Sequence, residues 1–482
     1  MDGGVGMSEK LSVTKAISNS RLTLRRLPLV SFSVALIIVS VALGGLASVL
    51  PDRVATVGQT SISDQICIPW QGKNQPNMSK VEILNAADSG SGNLQVLAGD
   101  RDEELSPNER ISILTNSSSY LRVQSAGLSS ANAVGTLLSR FDSSEARGLA
   151  HADCQPLVTE RWFPAVTTIS GYAQELILAN PDAQPVIVQL SAFTDSGEFV
   201  VTEFARISVP ANSVESVDLT RVVPGGDAVT LKILAEEGRV ATHIQVRRIG
   251  VNQSLGVAVN GGVSSPSNRV VIHGVSNGSD SDLLAVTALA DDAVVTATLY
   301  NETGSQTLAE FDDLLVPAKT VKLADIAGAI GNSPATIVLT ADQPIVAGIT
   351  QQVGRLNFSD IEILVGQPLV TSRSTAVLPT AFSNVQVMAF ANTEGEVIVN
   401  VRKESELIFS ETYNLKEKSF STLTFRKRIP QGASLHFDSK AEIALTVWVD
   451  REIKNSVVTT AMQLKDLQAE VVPGARLELL QP

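Results

Sequence analysis

Residues Leu176–Phe199 read LILANPDAQPVIVQLSAFTDSGEF, and the chain continues with ISVPANSVESVDLTRVV over Ile207–Val223. In the first stretch Val186, Val188 and Leu190 alternate with Ile187, Gln189 and Ser191. A period of two, short β-branched runs and closely spaced turn residues are typical of half-buried strands. The stretch therefore predicts strands that each turn one face to a core.

A second stretch repeats this pattern further along the chain. It reads VVTATLYNETGSQTL over Val294–Leu308 and LLVPAKTVKLADIAGAI over Leu314–Ile330. Four residue identities recur 107 positions apart: Gly197 and Gly304, Pro210 and Pro317, Ala211 and Ala318, Asp218 and Asp325. A more diverged copy without the Val-Pro-Ala step covers Val385–Arg451. Because solenoid and propeller units are about 20–50 residues long, the longer period indicates whole domains in tandem.

The sequence predicts an all-β protein: tandem β-sandwich (immunoglobulin-like) domains after one N-terminal transmembrane helix. The predicted segments are a cytoplasmic basic tail at 1–26, a transmembrane helix at 27–50, an N-terminal β unit with a disulfide at 51–160, sandwich repeats at 161–250, 265–358 and 374–465, and a C-terminal tail at 466–482. Linkers are predicted at Val251–Arg269 and Asp360–Arg373, where turn residues follow the first two repeats. Helical spacing of apolar residues predicts two turns of helix at Val134–Phe141 and at Leu323–Ile330.

The N-terminal segment Leu27–Leu50 contains 24 residues without a charge. A helix needs about 20 such residues to span a bilayer, and a basic flank marks its cytoplasmic end. Five basic and two acidic residues precede Leu27, so we expect the N-terminus in the cytoplasm and the rest of the chain outside, as in a single-pass protein of the cell membrane. The alternative is a cleaved signal peptide, with Gly45 and Ala47 as the small residues before a cut at Ser48.

Cys67 and Cys154 are the two cysteines of the chain, and both follow the apolar segment. An even number of cysteines in an exported protein predicts a disulfide, here closing 87 positions. Two buried thiols are the alternative. A metal site is disfavoured because neither cysteine belongs to a Cys-x-x-Cys motif or has paired histidines nearby.

Charge and motif content exclude several function classes. The net charge of −13 has the wrong sign for a phosphate-binding surface, so we expect no nucleic-acid partner. The Gly-x-Ser-x-Gly motif at Gly274–Gly278 lacks the following helix of a nucleophile elbow, and the Asp-Ser-Gly triplets at Asp88–Gly90 and Asp195–Gly197 are interpreted as turns. The chain has four separated histidines and no Gly-rich phosphate loop. The sequence therefore predicts no enzyme activity, no catalytic or metal residue and no cofactor.

Four motifs resemble a family of exported actinobacterial proteins, domain of unknown function 5719. They are GLAHADCQP at Gly148–Pro156, Glu160-Arg161-Trp162-Phe163, LILANP at Leu176–Pro181 and VPANS at Val209–Ser213. The resemblance implies a large exported or membrane-anchored envelope protein. It brings no activity, cofactor or catalytic residue with it.

We therefore expect a membrane-anchored, extracytoplasmic structural or interaction scaffold of the bacterial cell envelope. Its expected partners are the lipid bilayer, through residues 27–50, and an unidentified envelope protein or cell-wall polymer. The alternative is a cell-wall polymer-binding module or hydrolase. Two acidic side chains in a pocket with Trp70 or Trp162 would favour that alternative.

Overall fold

A computed structural model describes residues 62–467 except 73, 88–93, 99–100, 116–119, 127–131, 200–203, 252, 277–280, 354–358 and 454–455. The predicted basic tail, the predicted transmembrane segment 27–50 and residues 468–482 of the predicted C-terminal tail lie outside these described residues. Within them, each helix falls short of the length and apolar character that crossing a membrane requires.

The described chain folds almost entirely into antiparallel strands, which form four sandwiches of common topology. Each sandwich has eight strand positions in two layers, which are separate sheets in three sandwiches and are joined by one long strand in the third. One sheet has the order 4-3-6-1 and the other has the order 5-2-7-8. Apolar residues from both sheets form the core between them, so the all-β sandwich class predicted from the sequence is confirmed.

The first sandwich covers residues 62–156. Its strands are β1 (Ile62–Cys67), β2 (Met78–Asn85), β3 (Leu94–Ala98), β4 (Arg101–Leu105), β5 (Arg110–Leu114), β6 (Leu121–Ala126), β7 (Ala133–Asp142), β8 (Arg147–Asp153) and the short β9 (Gln155–Pro156), which extends the first sheet beside β1.

The second sandwich covers residues 160–260, and its fourth strand position is split in two. Its elements are β10 (Glu160–Val166), β11 (Tyr172–Asn180), β12 (Val186–Thr194), β13 (Gly197–Phe199), β14 (Ile207–Val209), β15 (Ser213–Asp218), a helix at Leu219–Val222, β16 (Val229–Glu237), β17 (Ala241–Ile249) and β18 (Ser254–Asn260).

The third sandwich covers residues 267–365, and one long strand, β25, serves as its sixth and seventh positions. Its elements are β19 (Ser267–Val275), β20 (Asp282–Ala288), β21 (Ala293–Asn301), β22 (Gly304–Thr307), a 3₁₀ helix at Ala309–Phe311, β23 (Leu314–Val316), β24 (Val321–Asp325), a helix at Ala327–Ile330, β25 (Ala335–Val353) and β26 (Asp360–Val365).

The fourth sandwich covers residues 373–463, and its fourth position is one unbroken strand. Its strands are β27 (Arg373–Val377), β28 (Asn384–Ala391), β29 (Gly395–Lys403), β30 (Glu406–Leu415), β31 (Ser419–Leu423), β32 (Ser434–Ser439), β33 (Ile443–Ile453) and β34 (Ser456–Gln463).

The 107-residue repeat of the sequence is a repeat of strands. The starts of β10 and β19, of β12 and β21, and of β13 and β22 are each 107 positions apart. The last strand of each copy, however, lies where the sequence analysis predicted a linker: β18 within Val251–Arg269 and β26 within Asp360–Arg373. These eighth strands are short and follow turn-rich segments, so their composition alone resembled connecting chain.

Two further details differ from the sequence-based expectations. In an immunoglobulin domain the first two strands share a sheet. Here the first strand of every sandwich pairs with the sixth, in the sheet opposite the second, so the strand order is not that of an immunoglobulin domain. The segment Val134–Phe141 forms strand β7 and not a helix. Its helix-like apolar spacing arises because both faces of β7 are buried, with Leu138 packing against Ile453 and Val458 of the fourth sandwich.

The four sandwiches contact one another in a closed cycle. Apolar cores continue from the first to the second, from the second to the third and from the third to the fourth sandwich. Leu138 and Leu149 of the first sandwich then pack against Ile453 and Val458 of the fourth. The N-terminal β unit is thus a full member of the array.

Candidate functional site

The eighth strands of the four sandwiches meet at one place. Strand β8 lies against β18 and β34, and β26 lies against β18, β34 and β8. We call this place the four-strand junction. Buried polar side chains at this junction make hydrogen bonds that join different sandwiches.

Asp360, the first residue of β26, occupies the centre of the junction and is wholly buried. Its Oδ1 accepts hydrogen bonds from the backbone N–H of Val257 and of Ile361, each at 2.9 Å, and its Oδ2 accepts one from the N–H of Leu149 at 3.1 Å. Burial raises the pKa of this carboxyl well above its ordinary value, and the three N–H donors oppose that rise. One side chain of the third sandwich therefore binds the backbones of the first and second.

Two glycines make room for this carboxylate. Gly148 and Gly256 have φ values of +145° and +133°, a region that favours glycine. A Cβ atom on Gly148 would lie 2.5 Å from Oδ1 of Asp360, and one on Gly256 would lie 2.4 Å from the backbone nitrogen of Ile361. The close approach of the three strands requires glycine at both positions.

Glu362, two residues along β26, joins the third sandwich to the fourth. Its Oε2 accepts hydrogen bonds from Thr460 Oγ1 and from the N–H of Ala461, both at 2.9 Å, and its Oε1 accepts one from the N–H of Ile363 at 3.3 Å. Burial raises the pKa of Glu362 to about 8, against the lowering effect of these donors.

Arg147 and Arg110 complete the cycle between the first and fourth sandwiches. Arg147 donates from Nη2 to Ser456 Oγ at 2.8 Å and to the carbonyl of Ile453 at 3.3 Å. Arg110 donates to the carbonyls of Gly432 at 2.6 Å and Leu378 at 2.9 Å. These polar side chains bind backbone and hydroxyl groups of neighbouring sandwiches. The hydrogen bonds of the junction therefore hold the sandwiches together.

Three adjoining cavities border the junction, and Lys465 lines all of them. The first, of about 70 Å³, lies between the first and fourth sandwiches and is lined by His151, Asp153 and Cys154 among others. The second, of about 50 Å³, includes Glu362 in its wall. The third has about 270 Å³, the largest volume of the three.

The largest cavity is lined by three basic side chains and one acidic one. Arg161, Arg269 and Lys465 are the basic residues, and Asp466 is the acidic residue. Asp466 accepts hydrogen bonds from the N–H of Thr371 at 2.9 Å, from its hydroxyl at 2.7 Å and from Ser372 Oγ at 3.0 Å. Lys465 Nζ lies 4.0 Å from Oδ2 of Asp153, so acidic side chains offset part of the positive charge of the lining.

His151 lies in the walls of the two smaller cavities. Its Nε2 has no hydrogen-bond partner within the described chain and lies 3.7 Å from Asp153 Oδ1, beyond hydrogen-bond distance. Burial lowers the pKa of His151, and Lys465 adds to that effect while Asp153 opposes it. The imidazole is therefore neutral at physiological pH.

The predicted disulfide between Cys67 and Cys154 is present, with both residues buried and their Cα atoms 4.2 Å apart. Cys67 ends β1 in one sheet of the first sandwich, and Cys154 follows β8 of the other sheet. Gly135 of β7 provides the space, because a Cβ atom there would lie 2.5 Å from the sulfur of Cys154. The bond thus connects the two sheets beside the junction.

The other residues considered from the sequence are not brought together. The four histidines lie on separate sandwiches and are buried: His151, His243, His273 and His436. Asp195–Gly197 forms the turn between β12 and β13, as interpreted from the sequence, whereas Asp88–Gly90 lies outside the described residues. Among the described residues, no three His, Cys, Asp or Glu side chains are placed to hold a metal ion.

The tryptophans are core residues. Trp70 packs edge-on against Phe141 in the first sandwich, and Trp162 lies in the core of the second. Trp448 of the fourth sandwich donates from Nε1 to the carbonyl of Gly274 in the third, at 2.9 Å. None of the three lines the cavities around Lys465.

Asp360 and Glu362 were not predicted from the sequence to act together at one site. One signal was available: in DIEILV, two acidic residues occupy alternate positions of an otherwise apolar run. Residues two apart in a strand lie on the same face, so both carboxylates had to enter one environment.

Comparison with known proteins identifies the family. The model of the family of unknown function DUF5719 matches residues 114–425, which is more than half of the chain. The protein therefore belongs to this family, as the resemblance in the sequence indicated. No curated protein matches the chain.

Two solved structures share low similarity with the chain. One is the Streptomyces avermitilis alpha-L-rhamnosidase complexed with L-rhamnose, with 8% identity and a TM-score of 0.13; the match covers 79% of this chain and 55% of that one. The other is a tetra-tandem repeat in the extending region of a large adhesion protein, with 9% identity, a TM-score of 0.11 and coverage of 84% and 99%. At these scores neither informs the function.

Proposed function

We propose that this protein is a membrane-anchored, extracytoplasmic structural or interaction scaffold of the bacterial cell envelope, without catalytic activity. The uncharged segment Leu27–Leu50 would anchor it in the cell membrane, with the basic N-terminus in the cytoplasm. The four sandwiches would lie outside. An origin in actinobacteria, implied by the sequence motifs, is part of the same proposal.

The disulfide is the main observation that supports the proposed export of the protein. Disulfides form and persist in oxidising compartments and are rare in the cytosol. The Cys67–Cys154 bond is buried between two sheets, and Gly135 is needed to accommodate it. Those features support a structural bond that is made once, after export.

The junction supports the scaffold part of the proposal. Asp360, Glu362 and Arg147 use their polar atoms to hold neighbouring sandwiches together. A body assembled in this way keeps its outer loops and edge strands at fixed positions, where partners can bind them.

The alternative function is a module that binds a cell-wall polymer. The basic lining of the 270 Å³ cavity favours it as a second candidate. Hydrolysis receives less support, because Trp70 and Trp162 are buried in cores away from the carboxylates that line the cavities.

Protease digestion of intact protoplasts tests the topology. Because the basic cluster precedes Leu27, added protease should digest everything beyond Leu50 while a cytoplasmic marker protein stays intact. Protection of the sandwiches in intact protoplasts, with digestion only after lysis, would refute the proposed location. A matched variant with Leu27–Leu50 deleted should leave the membrane fraction.

A further inference from the structure

Two arginines flank the apolar cluster that closes the cycle between the first and fourth sandwiches. The cluster consists of Leu138, Leu149, Ile453 and Val458. Arg140 of β7 is two positions along the strand from one cluster residue of the first sandwich and directly opposite the other. Arg451 of β33 has the same relation to the two cluster residues of the fourth sandwich. Strand residues that are two apart or directly opposite share a face, so both arginines lie on the faces that the two sandwiches turn to each other.

The two guanidinium groups have like charges and lack a compensating carboxylate in the described chain. Nε of Arg140 is buried without a hydrogen-bond partner among the described residues. No carboxylate of those residues forms an ion pair with Arg140 or Arg451. Burial lowers the pKa of Arg451, and the positive charge of Arg140 lowers it further. Two like charges at a partly buried boundary repel each other, so the arrangement is unfavourable unless an anion lies between them.

The acidic residues nearest in the sequence do not supply that anion. Arg451 has an acidic neighbour on each side in β33, and both point to the other face because side chains alternate along a strand. Asp142, two positions from Arg140 in β7, lies directly opposite Arg147 and forms no ion pair with Arg140.

A further carboxylate on this face of the first sandwich is already paired. Lys80 of β2 lies directly opposite Leu138, and Glu82 is two positions further along the strand. Glu82 accepts from Lys80 Nζ at 2.8 Å and from Arg110 Nε at 2.9 Å. Its charge is therefore balanced by two cations other than Arg140.

A phosphate group matches the two free cations. Its oxygens point to the corners of a tetrahedron, so one group can accept hydrogen bonds from guanidinium groups on two different strands. A phosphate dianion also balances both positive charges. A carboxylate has one charge and two oxygens in one plane, which suit a single guanidinium.

We propose that a phosphate group binds between Arg140 and Arg451 and bridges the first and fourth sandwiches. The group would belong either to a free or terminal phosphate or to a phosphodiester of an envelope polymer. Without it the boundary holds two repelling charges, and with it each guanidinium gains an acceptor. The bound group would thus stabilise the contact that closes the cycle of four sandwiches.

Isothermal titration calorimetry of the full chain in detergent, at constant ionic strength, tests the site. The probes are inorganic phosphate and dimethyl phosphate, which represents a phosphodiester. We expect inorganic phosphate to bind saturably at one site per chain, with a dissociation constant below about 10 mM. If dimethyl phosphate also binds, the source is a polymer phosphodiester, and if it does not, the source is a free or terminal phosphate. Absence of saturable binding of both probes up to about 20 mM would overturn the proposal.

Charge variants of Arg451 locate the binding. Arg451→Gln removes one of the two charges and should weaken phosphate binding about tenfold or more. Arg451→Glu should abolish binding, because its carboxylate repels phosphate and pairs with Arg140. Arg426→Gln, at an exposed arginine of the fourth sandwich, is the matched control and should bind as the wild type does. Wild-type affinity in both Arg451 variants, with circular dichroism spectra equal to the wild type, would place the phosphate elsewhere and refute the site.

Melting temperatures give a second measurement of the same pair. Without phosphate, Arg451→Glu should melt above Arg451→Gln, because only the carboxylate can pair with Arg140. About 20 mM phosphate should raise the melting temperature of the wild type by about 1–2 °C more than that of either variant. A general salt effect would raise all three melting temperatures equally. That result, or equal melting temperatures of the two variants without phosphate, would refute the bridge.

Discussion

Asn180 is wholly buried at the end of β11 and makes four hydrogen bonds. Its amide nitrogen donates to the carbonyls of Gln184, Val209 and Pro210, and its oxygen accepts from the N–H of Asp182. Asn-Pro dipeptides favour turns. The side chain of Asn180 does form a turn at Asn180–Asp182, and it also holds the Val-Pro-Ala step at the end of β14.

We expect Asn180→Ala to lower the free energy of unfolding by about 1–3 kcal/mol, because the buried carbonyl of Val209 and the part-buried carbonyls of Gln184 and Pro210 would lose a donor. Urea denaturation followed by circular dichroism measures this difference. The matched control is Asn414→Ala, at an exposed position of β30, which should change stability by less than about 0.5 kcal/mol. Equal stabilities of Asn180→Ala and wild type, combined with loss of an envelope partner, would instead make Asn180 a recognition residue.

Glu362 gives the junction a dependence on pH. Its pKa is about 8 in the folded protein and about 4.3 in an unfolded chain. A carboxyl with a raised pKa binds its proton more tightly in the folded state. Its contribution to stability is therefore complete below about pH 4.3 and is lost as the pH rises towards 8.

The variant Glu362→Gln stays uncharged at every pH. We expect the unfolding free energy of this variant, relative to the wild type, to rise by about 2 kcal/mol between pH 6 and pH 8. Burial raises the pKa of Asp360 in the same direction, and the charge of Glu362 adds to that rise, so the difference between the two proteins also contains this coupling, which has the same sign. Glu417→Gln, on an exposed turn, should show no such change. A constant difference between Glu362→Gln and wild type across this range would contradict the raised pKa.

The turn between the fourth and fifth strand positions shares one backbone feature in all four sandwiches. One residue in each turn has a positive φ: Asn108 at 61°, Asn212 at 52°, Lys319 at 61° and Lys418 at 50°. The Val-Pro-Ala step is absent from the fourth sandwich, yet the turn geometry persists there. The geometry of the turn is thus a property of the fold, and several sequences satisfy it.

A positive φ is unfavourable for lysine and costs about 1 kcal/mol. We expect Lys418→Gly to raise the unfolding free energy by about 0.5–1 kcal/mol, because glycine adopts this conformation without strain. Lys416→Gly is the matched control: it removes the same charge from the same exposed turn at a residue without positive φ, and it should destabilise the protein. If both glycine variants lower the melting temperature equally, the turn is not strained at Lys418.

The strands that alternate in polarity were predictable, because each turns one face to its own core. The segment Val134–Phe141 was not, since its second face is buried by another sandwich and its pattern lost the period of two. Strands β18 and β26 were missed because they are short and follow turn-rich segments, and β26 is also buried along its whole length between sandwiches. The roles of Asp360 and Glu362 depend on hydrogen-bond donors from the three other sandwiches. These donors are distant in the sequence, so the local residue pattern does not reveal them.

Contacts between sandwiches are buried and continuous around the cycle. Val346 and Ile361 of the third sandwich belong to the core of the second, and Met388 and Trp448 of the fourth belong to the core of the third. Because unfolding one sandwich would expose the core of its neighbour, we expect the four to unfold as one cooperative unit. A tandem array without such shared cores would unfold domain by domain.

Gly256 lies where β18 of the second sandwich contacts β26 of the third, so a substitution there tests the coupling between sandwiches. An added methyl group would meet the backbone nitrogen of Ile361 at 2.4 Å and Oδ1 of Asp360 at 2.7 Å, so β18 and β26 would have to separate. We expect wild-type urea transitions followed by tryptophan fluorescence and by circular dichroism to coincide, and those of Gly256→Ala to diverge. Gly197→Ala is the matched control: its φ of +122° imposes similar backbone strain in the same sandwich, but nothing lies within 4 Å of the new methyl group. Its transitions should shift to lower urea and still coincide. If the two transitions of Gly256→Ala coincide, and their urea midpoint equals that of Gly197→Ala, then the junction does not couple the sandwiches. Their shared cores alone would then hold the cycle together.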